Sequence, residues 1–111
     1  MKSRLTYVIK FVADVDKAIA FHRDVLGLAL KFASPHWTEF ATGEVTLALH
    51  PASATKPAGT IELAFGVDDL KTVYAERDKL GINFVSEPRA QFGVHIATFL
   101  DSEKTECRMS G

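Results

Sequence analysis

Apolar positions recur along this chain with two periods, and the two periods alternate in the same order twice. Residues 5–12 are dominated by β-branched and aromatic side chains, the composition of a strand. Asp14 then stands where a helix needs an N-cap, and Val15, Ala18, Ile19, His22 and Leu26 follow at helical spacing, apolar except for His22. Gly27 comes where a left-handed cap would close that helix. Three strand-like stretches follow at 28–32, 37–41 and 44–50, separated by the turn chemistry of Ser34-Pro35 and Thr42-Gly43. Residues 51–59 hold two prolines and small residues without periodicity, and they read as a linker.

The order then repeats. Residues 60–67 alternate strictly, with Leu63, Phe65 and Val67 on one face and Glu62, Ala64 and Gly66 on the other. Asp68-Asp69 opens a second helical stripe of Leu70, Val73, Tyr74, Arg77 and Leu80, which Gly81 closes. Residues 82–85, 94–100 and 105–110 supply strands, the last two joined by a hairpin turn at Asp101-Ser102-Glu103-Lys104. The expected fold class is α+β, a single domain of two βαβββ modules, 1–50 and 60–111, joined by the linker 51–59. Strand parity puts Lys10 with Val8 and Val12 on the side facing the helix, where a lysine must snorkel to an edge. By the same parity Cys107 faces the helices as a small hydrophobe, and Glu106 and Arg108 face away.

Composition narrows the function classes. A chain of 111 residues supports one compact domain with a modest core, so association with a second copy would add stability. A net charge of -1 supplies no basic field for a phosphate backbone and argues against nucleic acid. No apolar run has the length of a membrane span, and Met1-Lys2-Ser3-Arg4 leads straight into a strand instead of a signal-peptide core. A single cysteine, Cys107, fits a reducing cytoplasm. Phosphate loops, nucleophile elbows and Cys-x-x-Cys pairs are absent, and helix capping accounts for the acidic pairs Asp14-Val15-Asp16 and Asp68-Asp69.

The succession Asp14-Val15, Phe21-His22, Val25-Leu26-Gly27, Val67-Asp68, Leu80-Gly81, Glu87-Pro88, Phe92-Gly93 and Phe99-Leu100-Asp101 resembles, in order and spacing, the vicinal oxygen chelate superfamily. That group contains glyoxalase I, the bleomycin and fosfomycin resistance proteins and the extradiol dioxygenases. The resemblance covers nearly the whole chain. It implies two modules whose sheets each curl into half a cup, and a homodimer that shares or exchanges modules. In the catalytic members four side chains from the first and last strands of the modules hold a metal. Carried over position by position, these fall on Tyr7, Ala48, Glu62 and Arg108, with Ala48 the least secure alignment. Only Glu62 is a good ligand, and a guanidinium has no lone pair to give. The expectation is a lost metal, with no metal or cofactor.

Arg108 then either supplies the missing positive charge, paired with Glu62 in the cup, or points to solvent near the chain end. Tyr7 offers a ring wall and a hydroxyl, or is a packed strand aromatic. Among His22, His36, His50 and His95 no pair has metal-site spacing, and only His50, by parity with Ala48, is placed near the cup by argument, a surface role being the alternative for each of the four. Phe11 shares parity with Tyr7, Trp37 opens a strand, and Phe92 lies in a loop that covers the ligand in resembling proteins. The candidate ligand-binding set is Tyr7, Phe11, Trp37, Ala48, His50, Glu62, Phe92 and Arg108, with no catalytic residue. This reading is a cytoplasmic homodimer that binds a small organic molecule without metal. Two alternatives stand beside it: a metal-dependent lyase or dioxygenase with a relocated site, and an interaction protein with a filled cup.

Overall fold

In the computed structural model, which describes residues 1–111, the first alternating stretch becomes β1 (Arg4–Val12). The chain divides into two compact units, residues 7–62 and residues 1–6 with 63–111. Each holds strands in both parallel and antiparallel pairs together with short helices, as the α+β class requires.

In the unit of residues 7–62, β1 continues into α1 (Val15–Ala20), a wider-turned π extension (Phe21–Val25), β2 (Ala29–Ala33), β3 (Thr38–Ala41) and β4 (Thr46–Pro51). The strands lie in the order β2-β3-β4-β1, antiparallel except for the parallel pair β4 and β1. Asp14 caps the helix as expected, its Oδ1 accepting the Lys17 N–H at 3.0 Å, and Gly27 takes the left-handed φ of 73° that ends it. His22, the one polar member of the helical stripe, is buried. It is 5 % exposed, donates from Nδ1 to the Ala18 carbonyl at 2.7 Å, and stacks on Phe40 at 5.5 Å. An imidazole has one flat apolar body and one polar tip, so a local carbonyl satisfies the tip while the ring packs. Beyond Ala18 the turn widens, and the Leu26 N–H donates to the Phe21 carbonyl.

That stacking identifies the two faces of the sheet. Phe40 lies under the helix, and its register partner Leu47 and Leu47's partner Val8 share its side. Two residues along, Thr38, Leu49 and Lys10 fall on the same side, so Lys10 is half-buried where parity put it. Tyr7, Ile9, Phe11, Glu39, Ala48 and His50 therefore occupy the face away from the helix.

From β5 (Ile61–Gly66) the chain enters the second unit, with α2 (Leu70–Ala75), α3 (Arg77–Leu80), β6 (Asn83–Phe84), β7 (Arg89–Gln91), β8 (Val94–Leu100) and β9 (Glu106–Ser110). The order is β5-β9-β8-β6, with β7 also paired to β8, and the sheet is open. Asp69 caps α2 through the Thr72 N–H and hydroxyl, and Gly81 closes α3 at a φ of 76°. Val67, Leu70, Val73, Ala97 and Met109 form the core, with Leu80, Ile82, Phe84 and Phe99 packed against it. Cys107 is buried on the helix side as expected. The Asp101 carbonyl accepts the Lys104 N–H at 3.0 Å in the hairpin between β8 and β9.

Two details differ from the sequence pattern. The single helix expected over 70–80 breaks at Glu76, whose backbone leaves the helical region (φ -97°, ψ 13°). Residues 89–91, read as loop, form a strand because β8 offers them an antiparallel edge and Phe92-Gly93 turns the chain back with φ 51° and 80°. No helix is long and apolar enough to cross a membrane.

Candidate functional site

The face of residues 7–62 away from the helix is built on a closed floor. Ile9, Phe11 and Ala48 are 1 %, 2 % and 0 % exposed. Tyr7 and Phe11 rise from β1, His50 from β4, and Trp37 from the residue before β3. Trp37 is held by its backbone: the Ser34 hydroxyl donates to the Trp37 carbonyl and accepts the Trp37 N–H, both at 3.0 Å. Its indole meets Tyr7 edge-on at 5.8 Å and His50 at 6.4 Å, and His50 leans on Phe11 at 4.9 Å. The four rings thus touch in one continuous row, of which Tyr7, Trp37 and His50 are half-buried and Phe11 is buried. The Pro51 carbonyl lies 2.8 Å from His50 Nδ1 and only accepts, so that nitrogen carries the proton.

Glu39 locks one end of the wall. Its Oε2 accepts the Trp37 indole N–H at 2.8 Å, and Lys31 Nζ stands 3.7 Å from Oε1. Lys31 occupies the irregular position where the β2–β3 register shifts between Leu30 and Phe32. Burial, and then the charge of Glu39, push the Tyr7 phenol above its ordinary range, so it stays protonated and able to donate.

At the other end sits Glu62, 3 % exposed, with Lys56 Nζ 2.7 Å from its Oε2. The lysine comes from the stretch read as an aperiodic linker. That stretch is a built loop: the Ala52 N–H donates to the Val12 carbonyl at 2.8 Å, Gly59 N–H to the Phe11 carbonyl at 2.9 Å, and Ser53 and Lys56 close a turn between them. The sequence reading missed both Lys56 and Glu39. A carboxylate two positions from Trp37 on a short strand was the available signal for Glu39. For Lys56 there was none, because a loop has no period from which facing can be inferred.

Tyr7, Phe11, Trp37, Ala48, His50 and Glu62 are therefore gathered within one unit. Phe92 and Arg108 belong to the other unit. Arg108 on β9 registers with Ala64 and Thr98, on the opposite side from the buried Cys107 and Met109. Phe92 is 91 % exposed at the β7–β8 hairpin tip.

The donors present do not fit a divalent metal. Ala48 and Arg108 bring no ligand, Glu62 is engaged by an ammonium, and nowhere do three His, Cys, Asp or Glu side chains converge.

The fold matches known proteins over its whole length. The model of the Glyoxalase/Bleomycin resistance protein/Dioxygenase superfamily matches residues 4–106, and the chain belongs to that superfamily. No curated protein matches its sequence. Among solved structures it is similar to a hypothetical protein from Bacillus halodurans C-125, at 16 % identity and a TM-score of 0.77, over 99 % of this chain and 94 % of that one. It is similar to methylmalonyl-CoA epimerase from Mycobacterium tuberculosis, at 23 % identity and a TM-score of 0.76, over 96 % and 85 % of the two chains. A methylmalonyl-CoA epimerase in complex with methylmalonyl-CoA and NH4+ aligns at 17 % identity with a TM-score of 0.74, over 99 % and 94 %. At these identities the likeness shows the fold alone.

Proposed function

We propose that this protein binds a small, partly apolar organic molecule against the ring wall of residues 7–62, and does so without a divalent metal. The observation that carries this is Lys56 Nζ at 2.7 Å from Glu62, the one good ligand among the positions that hold a metal in catalytic members. A positive charge already neutralises that carboxylate, and a dication would have to displace it against repulsion. The half-buried Tyr7, Trp37 and His50 present the apolar surface, with a few polar groups at its ends, that small-molecule sites use. That a relative by fold was solved with methylmalonyl-CoA bound supports a small organic ligand for this architecture.

Exposed Phe21, Val25, Leu26, Leu30 and Phe32 cluster on the end of the π extension and on the edge strand β2, and a second copy of the chain is proposed to cover them. Sedimentation equilibrium showing only monomer at micromolar protein would refute the dimer. The cytoplasm, where a lone cysteine stays reduced, is the proposed location.

Elemental analysis of the dialysed protein, with melting curves in added nickel, zinc and iron(II), tests the metal-free reading. Substoichiometric metal and an unchanged melting temperature are expected. A metal held with micromolar affinity, about 8 kcal/mol of binding, would instead favour the metal-dependent lyase or dioxygenase.

A further inference from the structure

We infer that the unit of residues 1–6 and 63–111 carries a second small-molecule site: a cavity of about 480 Å3 on the helix side of its strands, which takes an apolar molecule ending in a hydrogen-bond donor. The ring wall proposed above belongs to the other unit, so the two sites are tested separately.

The internal duplication explains why this side is open. Aligning the N-cap residues Asp14 and Asp69 makes Lys10 correspond to Phe65 and His22 to Arg77. Strand pairing extends the match: Lys10, Leu49 and Thr38 become Phe65, Met109 and Ala97, and two residues along, Leu47 and Phe40 become Cys107 and Phe99. In the first module His22 stacks on Phe40, which is fully buried. In the second, Arg77 lies over the Tyr74 ring at 4.2 Å and donates from Nη1 to the Tyr74 carbonyl at 2.8 Å. A guanidinium held on Tyr74 leaves Phe99 without the ring that His22 lays on Phe40, and cysteine is smaller than the leucine it matches. Phe99 stays half-buried, and together with Cys107 it lines the cavity.

The lining sets the chemistry of the ligand. Leu63, Phe65, Ile82, Phe99, Cys107 and Met109 make it predominantly apolar, from the buried Cys107 and Met109 to the exposed Leu63. A volume in the range of small-molecule sites, with few polar groups, suits a hydrocarbon chain or ring. No lysine, arginine or histidine lines it, and Asp101 is its one charged side chain. Asp101 Oδ1 accepts the Glu103 and Thr105 N–H groups, each at 2.9 Å, which fixes the carboxylate at the start of the hairpin and leaves Oδ2 to accept from a ligand. A hydroxyl or ammonium matches that acceptor, whereas a carboxylate meets like charge and no cation.

Calorimetric titration with octanol, octylamine and octanoate tests this, read together with the carbon-13 methyl resonances of methionine. The chain's two methionines, Met1 and Met109, both line the cavity, so their methyl signals report whether a probe has entered it. The alcohol and the amine should shift the Met109 signal and bind about tenfold or more tightly than octanoate, the scale of one hydrogen bond to a charged group. Leu63→Trp sets a larger ring on the cavity wall and should weaken both about tenfold. Asp101→Asn keeps an oxygen for the hairpin N–H groups and should bring the three probes to within about threefold of one another. Should Leu63→Trp fail to fold, Asp101→Asn and the wild-type series decide. Octanoate bound as tightly as the alcohol, or no binding of any probe, would overturn the inference. A probe that changed Trp37 fluorescence while the Met109 methyl stayed still would be bound at the ring wall and would also overturn it. So would a dimer that Leu63→Trp turns into monomer in sedimentation equilibrium, since a second copy would then cover the cavity.

Discussion

Removing the Lys56 ammonium should cost stability that removing Glu62 as well gives back. In Lys56→Met the Glu62 carboxylate, 3 % exposed, loses the cation 2.7 Å away. Breaking a fully buried pair costs about 3–5 kcal/mol, but the lysine side chain is 23 % exposed and solvent screens part of its field, so about 2 kcal/mol is expected. With an unfolding entropy of about 2.1 cal/mol/K per residue, the 111 residues should melt about 9 °C lower. Glu62→Gln alone removes the buried charge and leaves a partly solvent-exposed ammonium, and should cost about half as much. Urea denaturation followed by Trp37 fluorescence gives all three variants on one scale. A coupling energy of about 2 kcal/mol is expected in the double mutant. Effects that add within about 0.5 kcal/mol would show that the two side chains do not depend on each other, and would remove the ammonium as support for the proposed metal-free site.

Three further outcomes follow from other parts of the structure. In a Tyr74→Phe background, near-ultraviolet titration should find Tyr7 ionising above the ordinary tyrosine value of about 10, and Glu39→Gln should bring it only part of the way down, because burial is the larger cause. Since the folded form holds that proton more tightly, stability should fall as pH rises from the unfolded value through the folded one, and a flat profile there would contradict the assigned environment. Thr38, fully buried with no hydrogen-bond partner for its hydroxyl, should tolerate Thr38→Val with a gain of about 1 kcal/mol in urea stability; a loss would mean the hydroxyl is satisfied after all. Phe92 holds a left-handed φ of 51° in a two-residue hairpin that favours Asn-Gly, so Phe92→Asn should stabilise by about 1 kcal/mol, and a lower denaturation midpoint would show that the exposed ring is packed.

Much of the architecture was legible before any coordinates because it depends on neighbours in the chain. Asp14 and Asp69 cap their helices through bonds to residues three positions on, and Gly27 and Gly81 end them through their own φ. Strand parity placed Tyr7, Phe11, Ala48 and His50 on one face and Lys10 and Cys107 on the other, because a two-residue period is a property of the backbone. Other features depended on what the fold brings close. The strand at 89–91 exists because β8 offers an edge, and His22 is buried because Phe40 lies beneath it. Trp37 and Glu39 stand two residues apart, yet only the turn at Ser34 and the β2–β3 register aim the indole at that carboxylate. Lys56 was the least legible of all. Its ammonium reaches Glu62 only after Ala52 and Gly59 tie the loop ends to β1, and a side chain at the end of four rotatable bonds carries no periodic trace of where it points. Local periodicity specifies elements and their faces, whereas the charge beside Glu62 is set by a loop whose course depends on long-range hydrogen bonds.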